Sequence, residues 1–109
     1  MLDIRHFGPG YRRNDPPANC KAMYPTLIYH DNAIHVVELH FEPGGEMWEH
    51  DADHPILFIV INGKGRVRID GQEAEIQAGG AILWPTGKMH KAWAEDVPFT
   101  ALAIEYEDK

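Results

Sequence analysis

Short apolar runs, each closed by turn residues, predict an all-β fold: a single-domain antiparallel sandwich or barrel. Three observations support this. Eight Pro and ten Gly punctuate the chain too often for a long helix to fit between them. Within the runs, apolar and polar residues tend to alternate with the period of two that marks a half-buried strand. A length of 109 residues suits one domain, large enough to bury about two-thirds of its unfolded surface without staples.

Residues 1–24 form a predicted arm, because Phe7-Gly8-Pro9-Gly10-Tyr11 through Pro16-Pro17 has turn chemistry and little periodicity. Residues 25–109 supply the barrel. Thr26–His30 is a first strand, ended by Asp31-Asn32. Ala33–Glu42 sets Val37, Leu39 and Phe41 on one face, with Glu38 and His40 an exposed pair on the other. His35 and His40 are in opposite phase. Pro43-Gly44-Gly45 is expected to break this strand. Ile56–Ile61 is nearly all apolar, as in a strand buried on both faces. Asn62-Gly63 predicts a tight turn into Gly65–Asp70, with Arg66 and Arg68 outward and Val67 and Ile69 inward. Glu73–Gln77, Ala81–Trp84 and a run opened by Pro98 complete the set.

The charge balance narrows the partners. Ten Lys and Arg against 17 Asp and Glu leave a net charge of −7, the wrong sign for a phosphate backbone, so no nucleic-acid partner is expected. Cys20 is the single cysteine, which excludes an internal disulfide and a multi-cysteine zinc cluster. No signal-peptide core and no apolar run of bilayer length is visible, so a cytoplasmic protein without a membrane partner is expected. Glu46, Glu49, Asp51 and Asp53 read most simply as a solvated acidic rim; in a functional role it would attract cations and repel anionic substrates.

Two segments carry chemistry. Gly44, His50 and Gly63 are spaced as in the first signature motif of the cupin superfamily. Gly79, Pro85, Gly87 and His90 are spaced as in the second, with fifteen residues, 64–78, between the motifs. Over residues 40–94 the chain therefore resembles a small single-domain cupin, which implies an antiparallel jelly-roll β-barrel. The resemblance also implies a divalent metal (Fe, Mn, Ni, Cu or Zn), a small-molecule substrate or ligand, and a homodimer. Three motif positions depart: Ala52 stands for the second histidine, Ile56 for the glutamate and Ala94 for the closing asparagine.

Two family ligand positions, His50 and His90, are kept. Ala52 removes a same-face imidazole about 6.7 Å along the strand, and Ile56 removes the one negative ligand. His54 is the available third donor if the turn-forming run Asp51–Pro55 swings it back to the mouth. The expected pocket is lined by Ile56, Phe58 and Val60, which share one strand phase, by Trp48 in phase with His50, by Ala52 at its motif position, and by Trp84 and Met89, which flank the second motif. Two functions fit. One is a metal-binding cupin on His50, His54 and His90, oxygenase-like or isomerase-like. The alternative is a metal-free module that binds or senses a small ligand, its metal site decayed.

Overall fold

The computed structural model describes residues 1–107, and these contain seven strands and no helix. The strands are β1 (Cys20–His30), β2 (Ile34–His50), β3 (Ile56–Ile69), β4 (Gln72–Gln77), β5 (Ala81–Trp84), β6 (His90–Trp93) and β7 (Phe99–Tyr106). All pairings are antiparallel. Strand β1 begins six residues before the expected start at Thr26, inside the predicted arm.

Two strands are longer than expected, and they build the barrel. The first half of β2 (34–41) pairs with β7, and its second half (46–50) pairs with β6. Likewise β3 pairs with β7 and β5 up to Gly63, then with β6 and β4 from Lys64 onward. Each long strand thus bends from one sheet into the other, and the ring β2–β7–β3–β6 closes on itself as in a jelly roll. The expected break at 43–45 and the expected turn at 62–63 are both corners within continuous strands. Strands that cross between packed sheets do so at bends and bulges, where the ladder changes partner. Gly63 shows why a glycine is needed at one corner. Its φ is +75°, and a Cβ there would collide with the Pro98 carbonyl oxygen and Phe99.

The core is a run of stacked rings. Phe41 stacks on Phe99 with centroids 4.4 Å apart, Phe99 meets Phe58 edge-on at 6.3 Å, and Phe58 stacks on Trp84 at 4.4 Å. Val60, Val67, Ala92 and Ala101 fill the space around them. Offset and edge-to-face rings add to the stabilisation that comes from area burial alone. This column ends at the candidate site.

Residues before β1 lie against the outer face of β2. There Arg12 donates from Nε to Glu38 Oε1 at 3.1 Å. Glu38 is therefore 2% exposed, not an exposed partner of His40 as its strand phase suggests. A long-range element covers a face that alternation alone leaves to solvent. His40 bonds elsewhere, through Nδ1 to Thr100 Oγ1 at 2.8 Å. No helix of the described residues is long and apolar enough to cross a membrane.

Candidate functional site

Strand β2 ends at His50, strand β6 begins at His90, and the two residues face each other in the ladder. Forty residues apart in the chain, their Nε2 atoms lie 3.1 Å from one another. His90 is completely buried and stacks on Trp84, with centroids 4.3 Å apart and planes 12° from parallel. His50 is half-buried and meets His90 edge-on.

The hydrogen bonds decide the tautomers. His50 Nδ1 lies 2.8 Å from the Trp48 carbonyl, which can only accept, so Nδ1 carries the proton. In the neutral ring, His50 Nε2 is then a bare acceptor, and His90 Nε2–H donates to it. His90 Nδ1 is left as a buried nitrogen with no hydrogen-bond partner. Burial, and then the neighbouring His50, push the His90 pKa down from 6.5 to about 4. The Lys88 backbone and the Asp51 carboxylate act against that shift and do not offset it. Near neutral pH His90 is therefore uncharged, and it donates to His50.

Above the pair is a cavity of about 170 Å³, walled mainly by Val37, Leu39, Met47, Ile56, Trp84 and Ala103. Its polar lining comes from His50, His90, His35 and Glu105. Of the pocket residues expected from the sequence, Ile56 and Trp84 line it. Phe58 and Val60 point inward but are packed solid in the core beneath. Trp48 is 49% exposed and donates from Nε1 to Glu46 Oε1 at 3.0 Å. The β2–β6 register shifts between Met47 and His50, so Met47 turns inward and Trp48 outward. Met89 is exposed in the loop before β6. Ala52 lies beyond the end of β2, where its carbonyl accepts from Gly87 N at 3.2 Å. His54 lines the adjoining cavity with His30 and Tyr106, not the one that holds His50 and His90.

His35 and Glu105 escaped the sequence reading. The signal was there: His35 is in phase with Val37 and Leu39, and Glu105 with Ala101 and Ala103. What phase could not show is that both strands bring these ends to the mouth beside Ile56, where Glu105 is paired with His35 and with Ile56.

The model of the cupin domain family matches residues 37–105. This chain belongs to the cupin family. No curated protein matches this cupin. Among solved structures, the polyketide cyclase RemF from Streptomyces resistomycificus superposes with a TM-score of 0.85 at 16% identity, over 97% of this chain and 80% of that one. KdgF from a Halomonas species gives 0.83 at 16% identity, over 100% and 96% of the two chains. A cupin-like protein from Thermotoga maritima gives 0.82 at 18% identity, over 92% and 81%. At such identities the likeness is one of fold.

The metal implied by the resemblance can be tested against the donors present in this cupin. Two imidazole nitrogens bonded to one ion at about 2.1 Å lie roughly 3.0–3.4 Å apart, and the 3.1 Å separation falls in that range. The Trp48 carbonyl on His50 Nδ1 would also orient that ring for a metal. The rest of the shell is missing. Ile56 puts a hydrocarbon wall at the glutamate position of the motif, and His54 faces another cavity. Among the described residues no group of three or more His, Cys, Asp or Glu is placed to hold an ion. In addition, His90 Nε2 holds the proton it donates to His50, and must give it up before it can ligate. Two neutral nitrogens compete poorly with water for a divalent ion, so these residues do not fit a resident metal.

Proposed function

We propose that this cupin binds a small, mostly apolar molecule directly in the cavity above His50 and His90, as a ligand-binding or sensing module without a resident metal. One observation carries the reading: the hydrogen-bonded imidazoles of His50 and His90 border a space walled mainly by hydrocarbon. Pockets of this make-up take their affinity from the apolar walls and their orientation from a few polar groups. The half-buried His50 is the member of the pair within reach of a ligand, and His90 holds it in place. An apolar cavity of about 150 Å³ is large enough for benzene, so the inner space suits a ring or a short branched chain.

The oxygenase-like or isomerase-like alternative requires a metal with a complete ligand shell, and the missing third and fourth donors count against it. The test uses untagged protein purified without chelator from cells supplied with Mn, Fe, Ni, Cu and Zn. Metal content well below one ion per protomer is expected. Benzyl alcohol is expected to shift the Trp84 indole NH resonance, and Ala103→Leu, which fills the cavity, to abolish the shift. Near-stoichiometric metal that disappears in both His50→Ala and His90→Ala would overturn the proposal.

A further inference from the structure

We propose that the molecule bound here carries a cationic amine beside its apolar body, and that Glu105 is the residue that selects it. The inference deepens the reading above and rests on it, because the apolar body must occupy the inner cavity. That cavity adjoins a second one, of about 320 Å³, and the two share only His35 and Glu105 among their lining residues. The two cavities therefore meet at these two side chains.

Among the described residues no Lys or Arg lines either cavity, whereas the larger one presents the carboxylates of Asp31, Glu105 and Glu107. Asp31 is already engaged, accepting from Tyr29 Oη at 2.7 Å and from the backbone of Ala33 and Ile34. Glu105 is the carboxylate that both cavities present. Its Oε1 lies 3.9 Å from His35 Nδ1, too far for a hydrogen bond. An ammonium group in this neighbourhood gains a charge-assisted bond to Glu105 next to apolar walls, and a carboxylate in the same place is repelled.

The probes are benzylamine, benzyl alcohol and benzoate, which share the ring and differ in charge. Titrations at pH 8 keep ordinary imidazoles neutral. The Trp84 indole NH resonance reports occupancy of the inner cavity. We expect benzylamine to bind about tenfold more tightly than benzyl alcohol, and benzoate most weakly, as for a partly exposed charged hydrogen bond. In Glu105→Gln the alcohol should bind as before and the amine should lose its advantage. High salt should narrow the same gap in the native protein. Equal binding of amine and alcohol, or an amine preference that survives Glu105→Gln, overturns the role of Glu105 and leaves the cavity reading intact. If no probe moves the Trp84 resonance, both fall. Unchanged thermal unfolding of Glu105→Gln, a substitution at a part-exposed side chain, guards against misfolding as the cause.

Discussion

His90→Phe should make this cupin less sensitive to acid. The substitution keeps a ring to stack on Trp84 and removes the titrating nitrogens. In the native fold His90 stays neutral down to about pH 4, while the unfolded chain takes up its proton near 6.5. Between those values the unfolded state binds more protons, so stability falls as pH drops through that window and levels off below it. From the two pKa values, the native protein loses about 2–3 kcal/mol at pH 4.5 relative to pH 8 through this residue alone. For a domain of this size that is a fall of about 10 °C in Tm. Thermal or urea unfolding of both proteins, followed by circular dichroism from pH 8 to 4.5, isolates the effect, because the carboxylates are common to both. The variant should lack this part of the acid loss, whatever its stability at pH 8. If the two proteins show the same pH dependence, His90 is not held neutral by burial, and the tautomer argument fails with it.

Other outcomes follow from the packing. Arg12→Ala leaves Glu38 buried without its cation and should cost about 2–3 kcal/mol in urea unfolding, and Arg12→Met with Glu38→Leu should recover most of that loss. Gly63→Ala combines a positive φ with a collision at Pro98 and Phe99, and should lower stability by about 2 kcal/mol or more in the same assay. Trp48→Ala, at an outward-facing side chain, should leave benzyl alcohol binding unchanged within about twofold by the Trp84 resonance, whereas a pocket-lining Trp48 would show a large loss.

Much of this protein is local, and the local part was legible. Glycine and proline mark corners and turns because few other residues adopt those backbone angles, and alternation marks the inward residues because successive side chains point to opposite faces. The resemblance to the cupin motifs singled out His50 and His90, and the fold brings them together. The misassignments share one cause. Trp48 follows strand phase in the sequence, yet a shift in the β2–β6 register turns it outward. Glu38 reads as exposed, yet a residue 26 positions earlier covers it. Phe58 and Val60 do point inward, but whether an inward position borders packed core or open space depends on every strand around it.

Composition, punctuation and period two determined the all-β class and the inward faces, since each depends on neighbours along the chain, and the resemblance to the cupin motifs marked the two histidines. The tertiary structure alone decided that His90 donates to His50 inside a hydrocarbon-walled cavity, that His54 faces a different one, and that His35 and Glu105 stand between them. Those facts depend on register between strands far apart in sequence. A slip of one residue in that register reverses every face, and no local pattern records it.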